Sequence, residues 1–397
     1  MGVTSAERAF SLFDSSVEDA YATYERWRRL CPVARSEAFG GHWTLTRFDD
    51  VRAAAKDWRT WSSADGIDLP RQERGETIIA SDPPRHELYR ALFQEALNQK
   101  TISVIEPYVV EFAHRLMDGF SVDGTCDLVT QYTEQLPPAV ICRIVGLDAD
   151  LAYEMRDVSI QLGSSLQDQA HFTAALADFG EFVIPQVEAR RVSPRSDFLT
   201  RLATEPFDGR TLPNETIVQI MVGFLLAGHE STTAAMSAIF LRLLSRPELI
   251  RSVLESKQLL SSVIEEGLRL DTPFHHFRRR STCPTAIAGV DLPKGADLLL
   301  NYAAANRDPK EFQDPDSFVP DRRPNRHMAF GFGIHTCVGA PLARMEVRVG
   351  VAELLKRFPG IALVDDPSSV SSEFLGGLLA FIPSLRVQLV PPREDEA

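Results

Sequence analysis

The chain has 397 residues, with 42 Lys and Arg against 55 Asp and Glu, so its formal net charge at pH 7 is −13. This acidic balance argues against a general nucleic-acid binder, because such proteins carry a basic surplus that pairs with phosphates. Apolar residues make up 44% and charged residues 24% of the chain, which excludes disordered and fibrous classes. Since no Gly-, Ser- or Pro-rich linker separates the periodic segments, we expect a single domain over residues 1–397.

The cysteines and apolar runs indicate where the protein works. Five widely spaced cysteines without a CxxC pair predict neither a disulfide framework nor a zinc site. Residues 1–14 lack the basic start and apolar stretch of a secretory signal. The apolar run over 220–228 is far shorter than the roughly 20 residues that cross a bilayer. We therefore expect a soluble, cytoplasmic protein that binds neither membrane nor nucleic acid.

Hydrophobic periodicity in the first two thirds of the chain predicts helices with one short strand. In chain order the predicted elements near the N-terminus are a helix over 21–30, a strand over 41–46, a helix over 50–55 and a helix over 86–97. The predicted strand indicates a small sheet near the N-terminus. Beyond these elements the pattern remains almost wholly helical to about residue 270.

The longest predicted helix begins near Pro213, which suits a first helical turn, and ends before Pro247. Its centre over 220–227 is apolar on all sides, so we expect it to be buried. After this helix the helical period lapses. Short strands are predicted over 285–290 and 297–302, followed by a pair of strands within 374–390 that turns at Pro383.

The segment 330–339 reads Phe-Gly-Phe-Gly-Ile-His-Thr-Cys-Val-Gly and runs into a predicted helix. Its glycines allow a tight loop in which backbone approaches a flat ligand, and the helix N-terminus would point N–H groups toward the Cys337 sulfur. Such a thiol is acidified to a thiolate, which is reactive or ligates a metal. From these residues alone, a cysteine packed as a small hydrophobic side chain remains the alternative.

Polar residues also interrupt the apolar centre of the long helix at Glu230, Ser231 and Thr232. Burying such groups is costly unless they find partners. One interpretation is a satisfied polar patch, in which the Ser231 hydroxyl donates to the carbonyl of Ala227 and bends the helix. The other interpretation is that these side chains take part in the chemistry of the protein.

The string FGxGxHxCxG over 330–339, followed by Leu-Ala-Arg at 342–344, resembles the haem-binding signature of the cytochrome P-450 superfamily. The resemblance implies a mainly α-helical, triangular P-450 fold with a long central helix and a small β-rich region. It also implies haem b as cofactor, with Cys337 as the thiolate ligand of the iron. Thiolate ligation in this family favours O–O cleavage.

The same resemblance assigns roles to four further groups of residues. The acid and alcohols that relay protons to dioxygen are Glu230, Ser231 and Thr232, beside a local opening of the long helix at Ala227 and Gly228. The buried structural network behind the haem is Glu266, Arg269 and Arg322. The residues that bind the haem propionates are His86, Arg90, Arg279 and His335. The residues that line the substrate pocket are Leu226, Ala227, Phe274, Leu375 and Leu378.

Several of these assignments carry alternatives. Arg278 competes with Arg279 for the propionate, because the loop length differs slightly from the common pattern. Ser231 stands where the family usually has threonine, which leaves the coupling of oxygen use to product formation open. Arg71 and Arg74 are candidates for a substrate carboxylate, although we expect both to lie in a solvent-exposed loop.

The N-terminal third, with Gly-Gly-His-Trp at 40–43 and Trp-Ser-Ser at 61–63, resembles the bacterial camphor-hydroxylating branch of the family. That branch holds its ketone substrate with a tyrosine in the segment that precedes the Asp-Pro-Pro motif. Residues 64–80 contain no aromatic side chain, so camphor is not implied.

The family resemblance implies a monooxygenase that inserts one atom of dioxygen into a C–H bond, an alkene or an O-alkyl carbon of a small or medium-sized hydrophobic substrate. The chain lacks a strand followed by GxGxxG, so electrons are expected from an iron–sulfur ferredoxin and its NAD(P)H-dependent reductase. We expect a monomer. A peroxide-driven oxygenase and a haem-based sensor without turnover remain the alternatives, and retention of Glu230 and Ser231 argues against the first.

Overall fold

The computed structural model describes residues 15–71, 77–120, 124–148, 151–165 and 168–389. The helices in these ranges are α1 (Val17–Leu30), α2 (Phe48–Lys56), α3 (Arg85–Ala96), α4 (Gln99–Phe120), α5 (Leu136–Val145), α6 (Ala152–Ser164), α7 (Gln169–Val192), α8 (Phe198–Thr204), α9 (Asn214–Gly228), α10 (Glu230–Leu244), α11 (Pro247–Glu255), α12 (Lys257–Leu270), α13 (Tyr302–Ala305) and α14 (Ala340–Arg357). A π-helical turn covers Val129–Thr133, and short 3-10 turns cover Ala38–Gly40, Gly333–His335 and Pro367–Ser369. Among these described helices, none combines the length and apolar character needed to cross a membrane.

The strands are short. They are β1 (Val33–Ser36), β2 (His42–Leu45), β3 (Trp61–Ser62), β4 (Thr125–Asp127), β5 (Pro206–Phe207), β6 (Arg210–Thr211), β7 (His276–Ser281), β8 (Thr285–Ile287), β9 (Val290–Leu292), β10 (Asp297–Asn301), β11 (Ala362–Leu363), β12 (Glu373–Leu375), β13 (Leu379–Phe381) and β14 (Arg386–Gln388). The chain is therefore mainly helical with small sheets, which confirms the predicted fold class.

The described residues fall into two compact units. The first is drawn from Met1–Pro83, Ser256–Cys337 and Ser371–Pro383. The second is drawn from Pro84–Glu255, Val338–Val370 and Ser384–Ala397. That residues 1–397 act as one functional domain remains a prediction.

A five-stranded sheet with the order β1-β2-β10-β7-β3 is the frame of the first unit. β2 and β10 run parallel, and the other neighbours are antiparallel. Leu45 and Leu298 from this sheet pack with Val51 and Phe312 in a core that is closed to solvent. This core supports β7 and the segment that leads into the cysteine loop.

Helix α14 packs against α4 and α10 in the second unit. Gly350 permits the close approach to α10, because a Cβ there would lie 2.8 Å from the Met236 sulfur. The Tyr132 hydroxyl, from the π-helical turn, donates to the Gly350 carbonyl at 2.9 Å. A glycine and a buried tyrosine thus position α14, which follows the cysteine loop in the chain.

The single long helix predicted from periodicity is wrong in one respect, because it is two helices, whereas the opening implied by the family resemblance agrees with the break. α9 ends at Gly228 and α10 begins at Glu230, with His229 between them at φ −84° and ψ −74°. The Ser231 hydroxyl donates to the Ala227 carbonyl at 2.7 Å across this break. A side chain thus supplies a hydrogen bond where the helix opens, as the polar-patch interpretation predicts.

Two strand predictions also need correction. The pair within 374–390 does not turn at Pro383: β12 and β13 turn at Gly376 and Gly377, whose φ values of 61° and 62° suit glycine. β14 instead pairs with β4 and β11 in the second unit. The predicted strand over 285–290 is the hairpin of β8 and β9.

Candidate functional site

The backbone of the cysteine loop is held in one conformation before Cys337. Gly331 and Gly333 have φ values of 70° and 76°, which side chains with a Cβ rarely adopt. A Cβ on Gly333 would lie 2.1 Å from the Ala55 carbonyl oxygen, so helix α2 touches the loop directly. The Cys337 N–H donates to the Phe330 carbonyl at 2.8 Å. Cys337 itself is exposed, which leaves its sulfur accessible to a ligand.

Strand β7 separates the two candidate arginines by its alternation. Arg278 donates to the Asp297 carboxylate at 2.7 Å and to the Asp65 carboxylate at 3.4 Å. Arg279 points to the other face of the strand, is 3% exposed and donates to the Arg278 carbonyl at 2.8 Å. No carboxylate of the described residues lies within ion-pair distance of Arg279, and burial lowers its pKa. Arg279 is therefore a buried cation whose surroundings suit an anionic ligand.

His335, two residues before the cysteine, is held by the segment of Ser62 and Ser63, a contact that the sequence analysis did not predict. Its Nε2 atom is 3.1 Å from the Ser63 hydroxyl. The Ser63 N–H donates to the Asp82 carboxylate at 3.1 Å, and the Ser62 hydroxyl donates to the same carboxylate at 2.5 Å. Asp82 opens the Asp-Pro-Pro motif. The one signal in the sequence for the contact between Asp82 and the serine pair is their spacing of twenty residues.

Tyr302 lies close to both Arg279 and the cysteine loop. Burial raises the pKa of its phenol, whereas the neighbouring Arg279 guanidinium lowers it. A Cβ on Gly331 would lie 3.9 Å from the Tyr302 hydroxyl. An exposed thiol on a glycine loop, with a buried cation that forms no ion pair with a described carboxylate, matches what haem requires from a protein. The residues present fit the cofactor.

The other two predicted propionate ligands, His86 and Arg90, lie one turn apart on α3 in the second unit. This i, i+4 spacing places them on the same side of the helix. His86 is 3% exposed, and Arg90 is half-buried.

Glu266 accepts hydrogen bonds from both predicted arginine partners. Arg269 reaches its two oxygens at 2.8 Å each, and Arg322 reaches both at 3.0 Å. Glu266 and Arg269 are wholly buried. Arg269 also donates to the carbonyls of Asn306 and Pro315 at 2.8 and 2.6 Å. This network ties α12 to the irregular segment that precedes the cysteine loop, as the sequence analysis expected.

The helix opening in the second unit carries the three polar residues singled out in the sequence. Burial, with a smaller effect from the Glu134 carboxylate, raises the pKa of Glu230 to about 7. Ser231 is half-buried and bonded to Ala227, while Thr232 is buried. Glu230 can therefore change its charge near neutral pH, which is the property a proton donor needs.

The predicted pocket residues divide between the units. In the first unit Phe274 pairs with Leu379 in an isolated bridge, and the His275 N–H donates to the Leu378 carbonyl at 3.0 Å. This fixes Phe274 beside the β12–β13 hairpin that carries Leu375 and Leu378. In the second unit Leu226 and Ala227 form the last turn of α9, where Leu226 is half-buried and Ala227 is exposed.

Of the two arginines considered as ligands of a substrate carboxylate, the structure describes Arg71. The Arg71 side chain is 55% exposed and pairs with Asp65 at 2.5 Å. Arg74 lies outside the described residues.

Comparison with known proteins shows which family the chain resembles. The model of the Cytochrome P450 family matches residues 148–379. The chain is 32% identical over 376 residues to the mycinamicin IV hydroxylase/epoxidase of Micromonospora griseorubida, covering 91% of this chain and 94% of the relative. It is 34% identical over 359 residues to the vitamin D(3) 25-hydroxylase of Pseudonocardia autotrophica, covering 87% and 88%.

A solved structure agrees with these relatives. The crystal structure of CYP108D1 from Novosphingobium aromaticivorans matches 98% of this chain and 100% of its own, with a TM-score of 0.87 and 25% identity. Members of the family carry haem b, and the cysteine loop, the buried Arg279 and the Glu266 network fit that cofactor. The chain belongs to the cytochrome P450 family and is a haem b monooxygenase of that family.

Proposed function

We propose that this P450 inserts one atom of dioxygen into a small or medium-sized hydrophobic substrate while the other atom leaves as water. The observation that carries the proposal is Glu230, a partly buried acid at the break between α9 and α10, whose pKa is raised to about 7. A carrier or sensor has no use for a proton donor at this point, whereas oxygen insertion consumes protons.

Four residues are proposed to bind the haem propionates and one to bind its iron. The proposed propionate ligands are Arg279 and His335 from the first unit and His86 and Arg90 from the second. Cys337 supplies the thiolate. When bound, the haem activates dioxygen, and thiolate ligation favours cleavage of the O–O bond. Arg278 is engaged by Asp65 and Asp297, which supports Arg279 as the propionate ligand.

Proton delivery is proposed for Glu230, Ser231 and Thr232. Near neutral pH, Glu230 exists in both protonated and ionised forms, so it can take a proton from solvent and pass it inward. The Ser231 hydroxyl, which accepts a proton on its oxygen while donating to Ala227, is the adjacent carrier. Thr232 offers a second hydroxyl one residue away.

The substrate is proposed to be hydrophobic because the expected contact residues are. Leu226, Ala227, Phe274, Leu375 and Leu378 present apolar side chains, and such surfaces select apolar ligands. Two relatives are named for acting on mycinamicin IV and vitamin D(3), which supports a substrate of medium size. A screen of compounds for the haem absorbance shift that follows displacement of the distal water would identify it.

Electrons are proposed to come from a separate iron–sulfur ferredoxin and its NAD(P)H-dependent reductase. The chain has no GxGxxG after a strand to bind a nicotinamide or flavin cofactor. We further propose that the protein works as a cytoplasmic monomer, consistent with scattered cysteines that form no disulfide.

The test of the whole proposal uses Cys337→Ser with Cys283→Ala, another exposed cysteine, as the matched control. The Cys337 variant should lose the thiolate-type spectrum of the reduced carbon-monoxide complex and all product formation with a surrogate ferredoxin system. The Cys283 variant should retain both. Normal turnover by Cys337→Ser would overturn the assignment, and a thiolate spectrum without turnover on any compound would favour a sensor.

A further inference from the structure

His229 occupies the break between α9 and α10, and its side chain leaves the helix to bind another element. It is 1% exposed. Its Nε2 atom lies 3.1 Å from the backbone carbonyl oxygen of Glu134. Glu134 directly follows the π-helical turn Val129–Thr133. The residue at the helix opening is therefore fastened to the end of a π-helical turn.

A second side chain makes the same kind of contact one turn later. The Thr233 hydroxyl donates to the Thr133 carbonyl at 3.0 Å. Ser237, a further turn along α10, lies 2.7 Å from the Thr133 hydroxyl. His229 thus binds the carbonyl of Glu134, and Thr233 binds the preceding carbonyl, that of Thr133. Two hydrogen bonds at one-turn spacing hold α10 to the π-helical turn immediately beyond the break.

The Glu134 contact defines the protonation of the imidazole. A carbonyl oxygen only accepts, so Nε2 carries the hydrogen and donates it. Burial lowers the pKa of His229 to about 4, so the ring is neutral near pH 7. Nδ1 is then a bare acceptor. Among the described residues it has no hydrogen-bond partner, and it lies 3.9 Å from Oε1 of Glu230, which also has none.

We propose that His229 is a positioning residue, which holds the helix open through Glu134 and presents Nδ1 as an acceptor to the protonated carboxyl of Glu230. This proposal rests on the proposed proton-delivery role of Glu230. The gap of 3.9 Å is longer than a hydrogen bond. A small rotation of the carboxyl closes it when Glu230 carries its proton, and ionisation removes the attraction because both groups are then acceptors.

The charged groups around the pair do not replace this contact. The Glu134 carboxylate raises the pKa of Glu230 by repulsion. Arg156 of α6 opposes protonation of His229. Burial raises the pKa of Glu134, and Arg156 opposes this shift. Arg156 is itself bound by Asp157 at 2.6 Å and by the side-chain oxygen of Gln135 at 3.0 Å. Burial and Glu134 favour the neutral acid without accepting its proton, so the hydrogen-bond acceptor nearest to the Glu230 carboxyl is Nδ1 of His229.

Two conservative variants separate the two roles of the imidazole, as donor to Glu134 and as acceptor from Glu230. In His229→Gln the amide nitrogen replaces Nε2, so the donor to Glu134 is kept and the acceptor toward Glu230 is lost. In His229→Asn the amide oxygen replaces Nδ1, so the acceptor is kept but the side chain is too short to reach Glu134. Both are measured on the haem-loaded protein alongside the wild type.

The first readout is the carboxyl C=O stretch of Glu230 in infrared difference spectra, assigned by its absence in Glu230→Gln. We expect this band to titrate near neutral pH in the wild type. In His229→Gln its midpoint should fall by about half to one pH unit, the equivalent of one lost hydrogen bond. His229→Asn should keep the wild-type midpoint. An unchanged midpoint in His229→Gln would overturn the acceptor role.

The second readout is hydrogen exchange of backbone amides over 227–233. Loss of one hydrogen bond predicts exchange about tenfold faster in His229→Asn, and near-wild-type exchange in His229→Gln. Wild-type protection in His229→Asn would overturn the role in holding the opening. Both readouts are independent of turnover. If Glu230→Gln remains fully coupled, the proton-delivery proposal fails while these measurements still decide the role of His229.

Discussion

Arg278 and Arg279 are neighbours on β7, yet only Arg278 reaches carboxylates, those of Asp65 and Asp297. Arg279 faces the opposite side of the strand, buried and with no carboxylate of the described residues in reach. Because adjacent residues of a strand face opposite sides, Arg278 stabilises the fold through ion pairs, whereas Arg279 can bind an anionic ligand.

Substitution of the two arginines should separate stability from haem binding. Arg279→Gln should weaken haem binding about 10- to 100-fold, because a charge-assisted hydrogen bond to a propionate contributes about 1.5–3 kcal/mol. Arg278→Gln should instead destabilise the fold by about 3 kcal/mol, since it leaves the Asp297 carboxylate without its buried arginine, whereas Asp65 keeps Arg71 and Arg280. Haem transfer to apomyoglobin and urea unfolding measure the two effects. Equal haem loss in both variants would contradict the assignment.

The Glu266 network predicts a large loss of stability from a small change. Glu266→Gln removes the charge that faces Arg269 and Arg322 in a buried setting, so the fold should lose about 3–5 kcal/mol. Glu265→Gln is the matched control: its carboxylate, 29% exposed, contacts His327 at 3.0 Å, and its loss should cost less than about 1 kcal/mol. Urea midpoints and haem content after purification distinguish the two. Similar midpoints would show that the network adds little.

Glu230 should make stability fall as pH rises. Its folded-state pKa of about 7 lies above the ordinary value of 4.5, so its contribution is fully present below pH 4.5 and is lost as pH rises through 7. The loss is about 3 kcal/mol at pH 8. Glu230→Gln should therefore gain in urea midpoint relative to wild type between pH 5 and pH 8. The exposed Glu215→Gln, at the start of α9, is the control, and parallel pH profiles for all three proteins would refute the prediction.

Ser231 tests the coupling of oxygen use to product. Ser231→Ala should bind substrate and oxidise NADH as before but form less product and more hydrogen peroxide, because the loss lies in the transition state of proton delivery. Thr232→Ala and the double variant show whether the neighbouring hydroxyl substitutes. Product formed per NADH oxidised is the measurement. Full coupling in the double variant would exclude both hydroxyls and leave an ordered water or the substrate as the carrier.

The sequence predicted what depends on local spacing. The loop before Cys337, the i, i+3 pair of Glu266 and Arg269, and the hydroxyl of Ser231 within reach of Ala227 are each encoded within a few residues. These contacts need only the geometry of one helix or one turn.

What the sequence did not predict depends on partners far along the chain or on strand register. Ser63 and His335 are 272 positions apart. The choice between Arg278 and Arg279 required knowing which face of β7 meets Asp65. The family resemblance implied an opening here, but the contact of His229 at the break depends on the Glu134 carbonyl, which lies 95 residues earlier in the chain. The apolar pattern of 220–227 is the same for a straight helix and an opened one.

The contact between Gly333 and Ala55 has a mechanical consequence. Since a Cβ would lie 2.1 Å from the Ala55 carbonyl, the backbone of the loop rests directly on the last turns of α2, with no side chain between them to absorb movement. Helix α2 thus supports the cysteine loop directly, and fraying of α2 would loosen that loop. Hydrogen exchange of the α2 amides should accordingly report how firmly the cysteine is held.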